Sequence, residues 1–121
     1  MTANTPATRK AKGRRLQQNV VNTILKWFPK LTERDVKSVP MGKSGEDIEL
    51  STAAIKYFPF AVEVKCQEKL NIWAALKQAE GENRDKNLIP MVVFKRNRSK
   101  IYCAFEFDKL IEIMKGNKNG N

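Results

Sequence analysis

Two acidic residues and a lysine, Asp47, Glu63 and Lys65, are spaced so that their side chains could act on one group. In an extended strand, residues two positions apart project from the same face, so Glu63 and Lys65 should lie side by side. Asp47 stands sixteen positions before Glu63, which is enough chain for an earlier strand to return beside it. Two converging carboxylates repel each other unless a proton or cation compensates them. Mg²⁺, with Mn²⁺ as its usual substitute, prefers such oxygen ligands.

This combination of residues suits metal-assisted hydrolysis of a phosphodiester. A bound metal ion activates water and polarises the phosphoryl oxygens, and Lys65 can stabilise the developing negative charge or orient the attacking water. The backbone carbonyl of Val64 lies between the two side chains and is a further candidate ligand. Glu46 is a weaker candidate than Asp47, because adjacent strand residues face opposite ways. One alternative is structural: Glu63 and Lys65 would simply pair with charged neighbours across a sheet.

The remaining composition narrows the chemistry and the partner. The chain contains no histidine, which excludes Ser–His and Cys–His nucleophile pairs and His-ligated zinc. Its two cysteines, Cys66 and Cys103, fall in predicted strands and are interpreted as buried thiols rather than a disulfide. The net charge is +10, and no acidic residue precedes Glu33. Clustered basic residues favour a polyphosphate partner such as DNA over an acidic protein or a merely soluble surface.

The predicted elements should form a mixed β-sheet flanked by helices, an α/β or α+β fold. Apolar residues recur at helical spacing from Arg14, and Pro29 ends that helix. Asn71 is a predicted helix cap. The predicted order is a helix at 14–28, strands at 35–39 and 47–50, a short helix at 51–57, a strand at 60–66, a helix at 71–80, a hairpin of strands at 89–95 and 100–107, and a helix at 108–114.

Three segments carry a resemblance to a known family: the helix opening at Lys12-Gly13, the turn Gly45-Glu46-Asp47-Ile48, and the strand Phe60-Ala61-Val62-Glu63-Val64-Lys65. Together they resemble the PD-(D/E)XK nuclease superfamily and, within it, the Holliday junction resolvase-like proteins of archaea, phages and prophages. The resemblance extends from about Lys12 to Met114. It implies a restriction-endonuclease-like core and a divalent-metal DNA endonuclease with Asp47 and Glu63 as metal ligands and Lys65 as catalytic lysine. Many such relatives act as homodimers on branched DNA.

The chain departs from that family at Gln17, where the archaeal relatives have a glutamate in the first helix. Glutamine is a neutral, poor magnesium ligand, although it can still hold a metal-bound water or a backbone phosphate. Gln78, in the helix after the Glu-x-Lys strand, is a second candidate for an assisting role. The neutral Gln17 leaves open an alternative function, a catalytically inactive DNA-binding protein with the nuclease fold.

The resemblance and the composition together predict one nuclease domain at 13–115, between a flexible basic arm at 1–12 and a disordered tail at 116–121. No apolar run approaches the roughly 18 residues of a membrane span, and no secretory signal is visible, so we expect a cytoplasmic protein, in the host cytoplasm if it is phage-encoded. Trp27 and Trp73 are interpreted as core or interface residues. The predicted DNA-binding residues are Lys10, Lys12, Arg14, Arg15, Lys43, Lys69, Arg96 and Arg98.

Overall fold

The computed structural model describes residues 5–40, 45–83, 85 and 87–118. Its elements follow the predicted order of helices and strands. They are α1 (Pro6–Trp27), β1 (Val36–Ser38), β2 (Ile48–Leu50), α2 (Thr52–Tyr57), β3 (Phe60–Cys66), α3 (Ile72–Glu82), β4 (Ile89–Lys95), β5 (Tyr102–Ala104) and α4 (Phe107–Lys118).

Helix α1 begins at Pro6, eight residues earlier than predicted, so most of the segment interpreted as a flexible arm is helical. The local sequence explains the early start. The hydroxyl of Thr5 accepts a hydrogen bond from the Thr8 amide at 3.1 Å, which caps the helix, and Pro6 follows at the first helical position. The basic composition of this segment indicated a flexible arm, whereas the cap at Thr5 and Pro6 starts a helix. The first side chain of α1 that is buried in the core is Leu16, so the preceding turns lie at the edge of the domain.

The strands form a mixed arrangement, as predicted. β3 pairs in parallel with β4, and β4 pairs antiparallel with β5. β1 and β2 form a separate antiparallel pair. This pair is attached to β3 by a hydrogen bond from the Asp47 amide to the Val62 carbonyl at 2.9 Å. Asp47 is therefore held against β3 by its own backbone.

Two helices cover opposite faces of the sheet. α1 packs against the face of β3 that carries Val62 and Val64, and α3 packs Ala75 and Ala79 against Val92 of β4. Since side chains alternate along a strand, Glu63 faces the α3 side. The predicted division of β3 into two faces is confirmed.

The C-terminal region differs from the prediction in two places. β5 is only three residues long, because Phe105 turns inward to pack against Phe60 with ring centroids 5.0 Å apart, and α4 starts at Phe107. α4 also continues to Lys118, so residues 116–118, which were assigned to a disordered tail, are helical. Among the elements that the structure describes, no helix is long and apolar enough to cross a membrane.

Three residues lie outside the core, although the sequence allowed a core position for each. Trp27 and Trp73, interpreted as core or interface residues, are 69% and 78% exposed, so neither is a core residue, and a role at an interface stays a prediction. Cys103 lies exposed on β5, at the edge of the sheet, whereas Cys66 is half-buried against the core. Both thiols are free.

Candidate active site

Asp47 is fixed at the start of β2 by three hydrogen bonds. Its backbone amide donates to the Val62 carbonyl, and its backbone carbonyl accepts from the Val39 amide at 2.8 Å. Its side-chain Oδ2 accepts from the Val64 amide at 2.7 Å. The carboxylate is thereby held beside the central residue of the Glu63-Val64-Lys65 segment.

Glu63 is the most buried acidic residue of the described chain, with 6% of its surface exposed. Its Oε1 lies 3.9 Å from the Lys65 Nζ and 3.4 Å from the Gln78 Nε2, which donates to it. Its Oε2 is buried and has no hydrogen-bond partner. An isolated buried carboxylate oxygen is costly, and it marks this position as one that needs a cation or a proton.

The electrostatics of the acidic residues agree with this geometry. Burial, with the neighbouring carboxyl groups of Glu82 and Asp47, raises the pKa of Glu63 to about 9. Burial also raises the pKa of Asp47, against the opposing effect of its hydrogen bond from the Val64 amide. The pKa of Glu82 is lowered, mainly by a hydrogen bond with Glu63. A hydrogen bond between two carboxyl groups requires a proton on one of them, and the raised pKa of Glu63 with the lowered pKa of Glu82 assigns that proton to Glu63.

Glu82 is a residue of this cluster that the sequence analysis did not identify. It lies one helical turn after Gln78 on α3, and the Gln78 Nε2 donates to its Oε1 at 3.2 Å. One amide group therefore contacts both Glu82 and Glu63. The spacing of four between Gln78 and Glu82, which places two helix residues on one face, was the available signal. Gln78 itself is brought to the site, as the sequence suggested.

Lys65 is in ionic contact with this acidic cluster through Glu63. Its side chain is 20% exposed, so it is also partly accessible to solvent. It attracts the charges of Asp47, Glu63 and Glu82 and lowers the pKa of each of them. This position lets Lys65 contact a substrate that approaches from solvent.

The residues of the cluster fit a divalent cation. The unpartnered Glu63 Oε2 and the raised pKa values of the two acidic residues, caused mainly by burial, describe a site that a bound cation would stabilise. In the described ranges, no group of three or more His, Cys, Asp or Glu side chains is arranged to hold a metal ion. Asp47 and Glu63 would therefore be the side-chain ligands, which suits Mg²⁺, because this ion usually keeps several waters.

Gln17 is hydrogen-bonded to β1 and, in the described part of the chain, not to these carboxylates. It is buried on α1, 4% exposed, and its Oε1 accepts from the Ser38 hydroxyl at 2.7 Å. No hydrogen bond joins Gln17 to Asp47, Glu63 or Lys65 in the part of the chain that is described. Ser38 is the last residue of β1, and the next residue, Val39, donates its amide hydrogen to the Asp47 carbonyl. This chain segment connects Gln17 to the site.

A groove of about 720 Å³ opens beside Lys65, between the start of α1 and the end of β3. We call it the basic groove. Five of its lining residues are basic and one is acidic: Arg9, Lys10, Lys12, Lys65 and Lys69 against Glu68. Three predicted DNA-binding residues, Lys10, Lys12 and Lys69, therefore lie in one groove with the candidate catalytic lysine.

The other predicted DNA-binding residues lie around this groove. Arg14 and Arg15 line a separate cavity on α1. Arg98 lines a smaller cavity with Lys12 and Arg15, and Lys12 donates to Asn97 of the same turn at 3.0 Å. Arg96 faces another cavity, beyond Glu68. The prediction for Lys43 lies outside the described residues.

The cavity lined by Arg14 and Arg15, about 430 Å³, is named here the arginine cavity. Its lining is Ala11, Arg14, Arg15, Gln17, Gln18, Ser38, Val39 and Pro40. The lining contains two guanidinium groups and no acidic side chain, so this cavity carries positive charge. α1 separates it from the basic groove, since each cavity is lined by a different set of α1 residues.

Comparison with known protein families gives a match over most of the chain. The model of the family described as "Phage putative PDDEXK endonuclease" matches residues 8–120. No curated protein and no solved structure matches the chain.

Proposed function

The chain belongs to this phage PDDEXK endonuclease family, and from this premise we propose that it is a DNA endonuclease that depends on a divalent metal ion. The observation that carries the proposal is a pair of carboxylates, the half-buried Asp47 and the buried Glu63, next to Lys65 at the wall of the basic groove. Buried acids beside a strongly basic surface are unfavourable for a protein that only binds DNA, because they repel phosphate. They are expected where a metal ion is used.

Asp47, Glu63 and the backbone carbonyl of Val64 are the proposed ligands of Mg²⁺ or Mn²⁺. When bound, the ion would supply an activated water and polarise the scissile phosphate. The protein prepares this site through its own hydrogen bonds. The Val64 amide fixes the orientation of Asp47, and Gln78 restrains Glu63 from the α3 side.

Lys65 is proposed to contact the scissile phosphate. Its ammonium group, 3.9 Å from Glu63 Oε1, is partly exposed and can stabilise negative charge that develops on the phosphoryl oxygens. Lys10, Lys12 and Lys69 would hold neighbouring phosphates of the same DNA along the groove. These contacts go to the backbone and carry no sequence information, so we propose that the enzyme reads DNA shape, with branched DNA as the preferred substrate.

The decisive experiment is cleavage of a labelled four-way junction and of a linear duplex with the same arms, in Mg²⁺ or in EDTA. Magnesium-dependent cutting that disappears in Lys65→Ala supports the proposed enzyme, and a higher rate on the junction supports branch selectivity. Lys109→Ala is the matched control, because Lys109 lies on α4 and pairs with Glu112 at 3.3 Å. Cutting by Lys65→Ala at the wild-type rate would show that the site is wrongly assigned.

A second function, DNA binding without cleavage, is favoured by one observation. Gln17 brings no charge to the site and its carbonyl is occupied by Ser38. Binding to DNA with no cleavage in either Mg²⁺ or Mn²⁺ would support this alternative. Equal absence of binding and cleavage would exclude both functions.

We also propose that the enzyme is a homodimer. α4 exposes an unusually apolar surface for a protein of this charge: Phe107, Leu110, Ile111 and Met114 are 71%, 39%, 40% and 53% exposed. Apolar surface of this kind is typical of protein interfaces. Sedimentation of the wild type and of Phe107→Glu tests the assignment, and an unchanged mass would exclude α4 as the interface.

A further inference from the structure

The arginine cavity has a chemical character of its own, because its lining combines two arginines with a buried glutamine and contains no acidic residue. Gln17 is 4% exposed and lines the cavity together with Arg14 and Arg15. Neither arginine forms an ion pair with an acidic residue in the described part of the chain. Among the described residues, Ser38 is the hydrogen-bond partner of Gln17, through Oε1, so the amide nitrogen can donate to a ligand in this cavity.

The hydrogen bond to Ser38 determines what Gln17 can bind. The Ser38 hydroxyl occupies Oε1 at 2.7 Å, and Ser38 is itself fixed in β1 by pairing with Ile48. The carbonyl oxygen keeps a second lone pair, whereas the amide nitrogen only donates hydrogen bonds. A donor suits an anion and cannot ligate a cation, so the amide nitrogen of Gln17 fits a phosphate.

We propose that the arginine cavity is a second phosphate-binding site, in which Gln17 donates a hydrogen bond and Arg14 and Arg15 supply charge. The inference rests on the proposed function, since the phosphate would belong to the bound DNA. Guanidinium groups and amide N–H groups are the usual protein donors to phosphate oxygens.

The position of the cavity suggests the path of the DNA strand. Val39 lines the cavity and donates its amide hydrogen to the Asp47 carbonyl at 2.8 Å, so the cavity adjoins the catalytic residues. The basic groove lies on the other flank of α1, with Lys65 in its wall. A strand that occupies both sites would cross α1, with one phosphate on each side and the scissile phosphate near Lys65.

Gln17→Glu distinguishes phosphate binding from metal binding, because the two roles predict opposite results. As a phosphate donor, Gln17 becomes repulsive when it is replaced by a carboxylate, so DNA affinity in EDTA should fall about tenfold or more. As a replaced metal ligand, its reversion to glutamate would leave binding in EDTA unchanged and would strengthen the response to Mg²⁺. Ser38 can donate to a carboxylate as well as to an amide, so the fold should tolerate the change.

The experiment measures binding of a fluorescent duplex and a four-way junction in EDTA by fluorescence anisotropy, with the wild type, Gln17→Glu and Asn22→Asp. Asn22 is an exposed amide on α1 outside both cavities, so Asn22→Asp matches the charge change and should alter affinity less than about twofold. Equal affinity of Gln17→Glu and the wild type would overturn the inference. Failure of the wild type to bind any DNA would instead overturn the proposed function.

A neutral variant and a direct probe cover the case in which Gln17→Glu does not fold. Gln17→Met has a similar shape without a donor and should weaken DNA binding about threefold to tenfold. In the wild type, the side-chain amide signals of Gln17 should shift in ¹⁵N NMR when inorganic phosphate or a dinucleotide is added without metal. No shift of these signals at saturating dinucleotide would also refute the site.

Discussion

Replacing Glu63 with glutamine should stabilise the metal-free protein at alkaline pH. In the wild type, the buried Oε2 of Glu63 has no hydrogen-bond partner, and the carboxyl groups of Asp47 and Glu82 lie nearby. An amide at this position keeps the shape, removes one charge and supplies donors that both neighbours can accept. The same substitution removes the proposed metal ligand, so stability and cleavage should change in opposite directions.

The size of the effect follows from the proton that Glu63 binds in the folded state. Its pKa is raised from 4.5 to about 9. Between these two pKa values the folded protein binds one more proton than the unfolded chain. The stabilisation that this proton gives is complete below the unfolded-state pKa of 4.5 and is lost as pH rises through the folded-state pKa of about 9. Each pH unit in this window lowers the free energy of unfolding by about 1.4 kcal/mol. Between pH 6 and pH 8 the ceiling is about 3 kcal/mol, and we expect about 2 kcal/mol because Lys65 and solvent screen the charge.

Urea unfolding in EDTA at pH 6 and pH 8 measures this contribution as a difference between variants. The wild type should lose about 2 kcal/mol more than Glu63→Gln over this range, and Mg²⁺ at pH 8 should stabilise only the wild type. Glu49→Gln, at an exposed position of β2, is the control and should retain the wild-type pH dependence. The reasoning would be refuted if Glu63→Gln showed the same pH dependence as the wild type, or if it were the less stable protein at pH 8.

Three further variants test other parts of the structure. Lys65→Met should lower the cleavage rate, measured by a gel assay, at least about 100-fold. Its DNA affinity in Ca²⁺, measured by anisotropy, should change only slightly. Cleavage at the wild-type rate would contradict the role of Lys65. Lys10→Ala with Lys69→Ala should reduce the slope of log affinity against log salt by about 0.9 for each lost phosphate contact, whereas Lys26→Ala, at the far end of α1, should leave the slope unchanged. Ser51→Ala should lower the free energy of unfolding by about 1 kcal/mol, since Ser51 caps α2 by accepting from the Ala54 amide; a urea titration with no shift would exclude that cap as a stabilising contact.

The order of the elements could be predicted because each one has a strong local signal. The alternation in β3, the apolar periodicity of α1 and the caps at Ser51 and Asn71 depend only on neighbouring residues, and the structure has all of them. The start of α1 was missed because the cap of Thr5 and Pro6 is followed by basic residues rather than by an apolar face. The short β5 depends on Phe105 packing against Phe60, a contact between distant residues that local patterns do not contain.

The candidate site was predictable where it depends on a strand and less so where it depends on packing. Glu63 and Lys65 share a face for reasons of strand geometry alone, and Asp47 was found by its distance along the chain. Glu82 was missed because its role depends on how α3 lies against β3. The environment of Gln17 also depends on tertiary structure, since its partner Ser38 lies 21 residues away on another element.

The backbone conformation of Arg98, in the turn between β4 and β5, limits how this protein could be engineered. Arg98 has a φ of 62°, the left-handed conformation that glycine adopts without the steric cost of a side chain. For a side chain such as arginine this conformation costs about 1 kcal/mol. A redesign for thermal stability would therefore choose Arg98→Gly early, and that choice would remove a guanidinium group predicted to contact DNA. At Arg98, thermal stability and DNA affinity are therefore opposed, so stabilising substitutions should be sought at other positions of the surface.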